Sequence, residues 1–125
     1  MKNEHIDVIR KSIELTKTVS EALTYVEECM RGGKMETCAG VFNDTVESIV
    51  MIDTAIRPLL SDEKENEVNI TEPYTEVEKS VYDIIDAYEA MDQIKAYSAL
   101  KNRLIPAFAD WQKGILRYLK HYTMS

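Results

Sequence analysis

The chain has 125 residues, of which 45% are hydrophobic and 30% charged, and its 22 acidic and 15 basic side chains give a net charge of −7. This composition is typical of a globular protein and excludes a chain that is disordered throughout. The excess of acidic residues also excludes the basic surface of a nucleic-acid scaffold, so we expect no nucleic-acid partner.

The sequence shows no sign of export or membrane insertion. Residues 1–11 mix charged and apolar side chains and lack the apolar core of a signal peptide. The longest uninterrupted apolar run, residues 49–52, is far shorter than the ~20 residues of a spanning helix. We therefore expect a cytoplasmic protein that does not bind membranes.

Two segments in the first half have the apolar spacing of amphipathic helices. In residues 6–30 apolar residues recur every three or four positions, and Gly32 and Gly33 then offer the positive φ that ends a helix. The second segment, residues 35–59, has the same spacing and should end just before Pro58, which has no amide hydrogen.

The second half starts with an acidic loop, predicted near residues 61–70 because apolar periodicity is missing there. A third helix should begin around Pro73 and carry an apolar stripe from Tyr74 to Met91. A fourth stripe covers residues 97–122, and Asp92-Gln93 is the predicted cap and turn between the two helices. Within the fourth stripe, Pro106 should bend the helix.

Long amphipathic helices joined by short turns bury their apolar stripes against one another. We therefore predict an all-α fold, an antiparallel up-down four-helix bundle, as one domain of residues 1–125. No glycine or proline separates the last two segments, so a three-helix bundle with a long bent last helix is the alternative. Some apolar residues widen the stripes beyond a narrow seam, and a homodimer could cover them: Val8, Leu15, Val50, Met51, Ile85 and Leu119.

Charge is distributed unevenly along the chain. Residues 1–60 carry −3, residues 61–92 carry −9 and residues 93–125 carry +5. The third and fourth helices either complement each other or present charged faces to a partner. The candidate interaction faces are an acidic set and a basic set: Asp83, Asp86, Glu89, Lys113, Arg117 and Lys120.

Motifs for metal or cofactor chemistry are missing. Neither histidine is part of a Glu-x-x-His motif, which a di-iron bundle requires, and there is no phosphate-binding glycine loop. Asp83, Asp86 and Glu89 have the acid-x-x-acid spacing of helical nucleotide pyrophosphatases, but at 100° per residue they spread around the helix surface. We predict no catalytic residues, no metal site and no cofactor.

Cys29 and Cys38 lie at nearly equal distances from the Gly32-Gly33 turn. Equidistant positions of a helical hairpin can face each other, so these two thiols are a candidate redox pair. The alternative is that both are reduced and pack as small hydrophobic side chains.

Near the C-terminus, the run Leu104-Ile105-Pro106-Ala107-Phe108-Ala109-Asp110-Trp111-Gln112 resembles small all-helical domains of unknown function from Firmicutes. The resemblance implies a bacterial cytosolic protein whose family has no assigned activity.

The function we predict is non-enzymatic. A helical face would bind another protein, as in an adaptor or chaperone, or a second copy of the chain. One alternative is a metal-dependent nucleotide hydrolase that uses the acidic third helix. The other alternative is binding to a membrane surface through the basic C-terminal helix.

Overall fold

The computed structural model describes residues 3–60 and 64–123, and within these ranges the chain forms four helices and no strand. Helix α1 is Asn3–Arg31, and α2 is Ala39–Ile56 followed by a 3₁₀ turn at Arg57–Leu60. Helix α3 is Lys64–Glu89. Helix α4 is a continuous run of Gln93–Ala99, a π-helical segment Leu100–Leu104, and Ile105–Thr123. The predicted all-α four-helix fold is confirmed.

Contacts between neighbouring helices show that they are antiparallel. Tyr97, early in α4, donates a hydrogen bond to Glu27 near the end of α1, at 3.0 Å. Further along α4, Gln112 donates to Thr16 in the middle of α1, at 3.3 Å. The partner number falls as the residue number rises, so α1 and α4 run in opposite directions.

The α1–α2 and α3–α4 turns share one backbone motif. In each, two amides just beyond the helix donate to carbonyls of its last turn, as in a Schellman motif. The left-handed residue is Gly33 in the first turn, with φ of 77°, and Met91 in the second, with φ of 55°. Asp92 then caps α4 by accepting the amide of Lys95 at 3.0 Å. The predicted turn at Asp92-Gln93 is confirmed, and the three-helix alternative is wrong.

Two sequence expectations near these helix ends are corrected by the structure. Met91 is not part of the buried stripe of α3 but is 60% exposed in the turn. The predicted loop at 61–70 is helical from Lys64 onward, while residues 61–63 lie outside the described residues. Lysine and glutamate are good helix formers, and the buried Ile70 anchors this first part of α3 to the core. Pro73 therefore lies inside the helix rather than at its start.

Pro106 is expected to bend the helix, and the structure shows a π-helical segment, Leu100–Leu104, immediately before the proline. Pro106 cannot donate to the preceding turn, and its ring crowds the carbonyl four residues earlier. A π segment widens the turn, and this accommodates the proline without ending the helix. The segment also carries Arg103, whose contacts with α3 are described below.

The core extends along the whole bundle. Its largest fully buried side chains include Trp111, Phe42 and Phe108. Trp111 contacts Tyr74 of α3, with ring centroids 4.9 Å apart, and Phe108 in its own helix, at 5.7 Å. Its indole nitrogen is buried and has no hydrogen-bond partner among the described residues. Aromatic packing therefore holds α3 and α4 together without help from the indole N–H.

Candidate protein-interaction surface

An ion-pair cluster joins α3 to α4. The guanidinium of Arg103 donates to Glu76 Oε1 from Nε at 3.1 Å and from a terminal nitrogen at 3.0 Å, and its other terminal nitrogen pairs with Asp83. All three side chains are partly exposed. Asp83, a candidate interaction residue, is therefore occupied within the molecule. Here the acidic and basic segments complement each other.

The other charged candidates lie at the surface. Asp86 and Glu89 on α3 and Lys113 and Arg117 on α4 are exposed, whereas the side chain of Lys120 lies outside the described residues. Within the described part of the chain, no group of three or more histidine, cysteine or acidic side chains is arranged to hold a metal ion. The acid-x-x-acid spacing of α3 thus does not bring its carboxylates together there.

The two cysteines lie at the α1–α2 turn as free thiols. Cys29 is half-buried and donates to the Lys34 carbonyl at 3.1 Å, whereas Cys38 is buried, 3.5 Å from the Tyr88 hydroxyl. Burial raises the pKa of the Cys29 thiol, and the neighbouring Cys38 thiol raises it further. The two thiols are not bonded to each other, and the redox pair stays a prediction.

A groove runs between α2 and α3. Over the described residues, the two backbones approach each other closely at few positions, and long side chains bridge the space between them. Phe42 stacks on Tyr88 near one end, at 5.8 Å between ring centroids, and Arg57 lies 5.8 Å from the Tyr74 ring near the other. We call this surface the α2–α3 groove. One of its pockets, about 240 Å³ in volume, is lined by Ala39, Phe42, Asn43, Ile85, Tyr88 and Glu89.

Apolar side chains continue the groove past this pocket. Val46 and Val50 follow Asn43 at three- and four-residue spacing, so they lie on the same face of α2. The Phe42–Tyr88 and Arg57–Tyr74 contacts fix the register, which places Val46 level with Ile85 and Val50 close to Tyr82. Val50 is 51% and Tyr82 64% exposed, while Val46 and Ile85 are half-buried. The middle of the groove is therefore an apolar strip that is open to solvent.

Acidic side chains of both helices border the groove. Asp53 pairs with Arg57 at 3.0 Å, but among the described residues Glu78 and Glu89 form no ion pair. The electrostatic effect is visible at Tyr74, whose pKa is raised to about 12 by burial and then by the charges of Asp53 and Glu78. The groove is therefore both apolar and negatively charged.

The six apolar residues that widen the predicted stripes differ in their exposure in the structure. Leu119 is fully buried, and Val8, Leu15 and Ile85 are half-buried, which leaves only Val50 and Met51 exposed. On α2 these two lie about 100° apart. Val50 faces the groove, and Met51 points away from α3. Sequence reasoning thus identified Val50 but missed Tyr82, whose only signal was an aromatic residue outside the apolar stripe.

Another exposed hydrophobic residue, Ile94, is 85% exposed and borders a shallow pocket next to α1. The same pocket is lined by Arg31 and Lys101, so its surroundings are basic and polar. Single exposed hydrophobic residues are normal on a protein surface. The α2–α3 groove is the stronger candidate because both of its walls carry apolar side chains at the same level.

No helix in the described part of the chain is long and apolar enough to cross a membrane. A search of curated proteins and a search of solved structures each find no match. A family model with the description "Domain of unknown function (DUF8042)" matches residues 7–114, which include the whole α2–α3 groove. This match says nothing about the source, so the Firmicutes origin stays a prediction. Because the match covers most of the sequence, the chain belongs to the DUF8042 family.

Proposed function

We propose that the protein is a non-enzymatic interaction module that binds another protein in the α2–α3 groove. The observation that carries this proposal is the apolar strip of Val46, Val50, Tyr82 and Ile85, of which Val50 and Tyr82 are more than half exposed. Contiguous exposed apolar surface costs free energy in water, at ~25 cal/mol per Å², unless a partner covers it.

The rigidity of the two walls also supports a binding role. Each wall is a helix with a second, fully buried face in the core, with Ile49 and Ile52 on α2 and Val77 and Ile84 on α3 at no more than 2% exposure. A surface held by packed helices changes little on binding, so less ordering entropy opposes the association. An adaptor or chaperone-like role in the cytoplasm fits a chain whose two thiols are free.

The test is affinity purification from the native host with three versions of the tagged protein: the unaltered chain, Val50→Asp and Met51→Asp. Both variants put one carboxylate in place of an exposed apolar side chain on α2, but only position 50 faces the groove. We expect a defined partner to copurify with the unaltered chain and with Met51→Asp, and to be depleted with Val50→Asp. The proposal fails when the three samples are indistinguishable.

A further inference from the structure

We propose that the ligand of the α2–α3 groove is a basic amphipathic helix about four turns long, supplied by the partner protein. This inference rests on the proposed function and adds the chemistry of the ligand. Three features of the groove support a ligand of this kind: its length, its apolar strip and the sign of the surrounding charge.

The length of the groove suits a helix. It extends from the Phe42–Tyr88 contact to the Arg57–Tyr74 contact, so Arg57 lies 15 residues further along the chain than Phe42. At ~1.5 Å per residue the groove is about 22 Å long, the length of a four-turn helix. An amphipathic helix that lies in such a groove inserts apolar side chains at three- and four-residue spacing, one or two per turn.

Apolar contact points are distributed along this length. At one end the pocket beside Phe42 and Tyr88 has room for a large side chain. In the middle, Val50 and Tyr82 present open apolar surface. A ligand helix with one apolar stripe would contact both regions with the same face.

The charge around the strip selects a basic ligand. Glu78 and Glu89 on α3 are exposed and form no ion pair among the described residues. Arg57, which lies over the Tyr74 ring at one end of the groove, is already paired with Asp53 at 3.0 Å. Lysine or arginine on the flanks of the ligand would meet these carboxylates, and charge complementarity of this kind determines orientation and partner choice.

The same charges disfavour a second copy of this chain in a symmetric dimer. A two-fold axis through the groove would bring each of these carboxylates next to those of the other copy. Like charges across an interface oppose association. A separate protein with a basic helix satisfies both the apolar strip and the carboxylates.

The experiment measures binding of a labelled amphipathic peptide of about 18 residues, made of leucine and lysine with helical spacing, by fluorescence anisotropy at low salt. A peptide of the same pattern with glutamate for lysine is the first control. We expect the basic peptide to bind and the acidic one not to bind. We also expect Val50→Asp to abolish the apolar contribution, so that any remaining binding is lost at high salt.

Two matched double variants locate the site. The groove variant is Glu78→Gln and Glu89→Gln. The control variant removes two carboxylates that are exposed on other faces of α2 and α3: Asp44→Asn and Glu72→Gln. The net charge is the same in both. We expect the Kd to rise about tenfold in the groove variant and by less than about twofold in the control.

Three results would overturn the inference. They are failure of the basic peptide to bind, equal weakening in the two double variants, and sedimentation of the chain as a dimer that Val50→Asp dissociates. Circular dichroism of each variant establishes that it is folded. If the basic peptide does not bind but a partner still copurifies with the unaltered chain and is depleted with Val50→Asp, the basic ligand is refuted and the proposed function stands. If the partner copurifies equally with the unaltered chain, Val50→Asp and Met51→Asp, the proposed function itself is refuted.

Discussion

Replacing Met91 with glycine should stabilise the protein, because the backbone at this turn suits glycine. Met91 has a φ of 55°, a left-handed conformation that costs an L-residue about 1–2 kcal/mol. Its side chain is 60% exposed, so the substitution loses little apolar burial. The hydrogen bond from the Met91 amide to the Tyr88 carbonyl is kept, since glycine also has an N–H. After subtracting about 0.5–1 kcal/mol for the greater freedom of glycine in the unfolded chain, the expected gain is ~0.5–1 kcal/mol.

The assay is urea unfolding followed by circular dichroism, which measures the free energy of unfolding. In a thermal melt of the same samples this gain corresponds to a Tm increase of about 3 °C. Gly33→Ala is the matched control at the same position of the other turn, where φ is 77°. A Cβ there would lie 3.7 Å from Gln93 Oε1, an ordinary contact, so the expected loss of about 1 kcal/mol is conformational. A decrease in stability for Met91→Gly would refute the reasoning and show that the methionine side chain stabilises the turn.

Three further predictions concern the helix pairs. Arg103→Met should cost ~0.5–1 kcal/mol of stability, and a double-mutant cycle should show this cost disappearing when Glu76→Gln and Asp83→Asn are already present. Burial and nearby carboxylates raise the pKa of Tyr74 from 10.0 to about 12 in the folded protein. Tyr74 therefore loses its phenolic proton at a lower pH in the unfolded chain than in the folded one, and the free energy of unfolding falls as the pH rises between these values. Tyr74→Phe should reduce this fall in alkaline urea titrations while leaving stability at pH 7 nearly unchanged. Trp111→Ala should lower the free energy of unfolding by about 3–5 kcal/mol in urea at pH 7, because it leaves a cavity where the indole packs between α3 and α4.

Signals that are local in the sequence predicted much of the fold. Periodic apolar residues determine which helix face is buried, and a side chain such as Asp92 can cap the helix that follows it in the chain. The errors have local causes as well. Met91 continues the apolar spacing of α3 one step past the helix end, and no residue type marked its left-handed backbone. At Lys64, helix propensity continues where apolar periodicity does not.

The candidate groove was harder to predict because it depends on the register between helices. The sequence singled out Val50 as surplus apolar surface, but only the contacts of Phe42 and Arg57 with α3 place it beside Tyr82. Similarly, charge counting could not decide whether Asp83 faces α4 or a partner. The ion pair with Arg103 answers that question for this one carboxylate.

Photo-crosslinking in the native host shows whether another protein occupies the α2–α3 groove. A benzophenone amino acid is placed at position 50, inside the groove, or at position 51, on the outer face of the same helix. We expect one crosslinked protein from position 50, joined through a basic helical segment, and none from position 51. Equal crosslinking from both positions, or an adduct only with a second copy of this chain, would show that no separate protein binds in the groove.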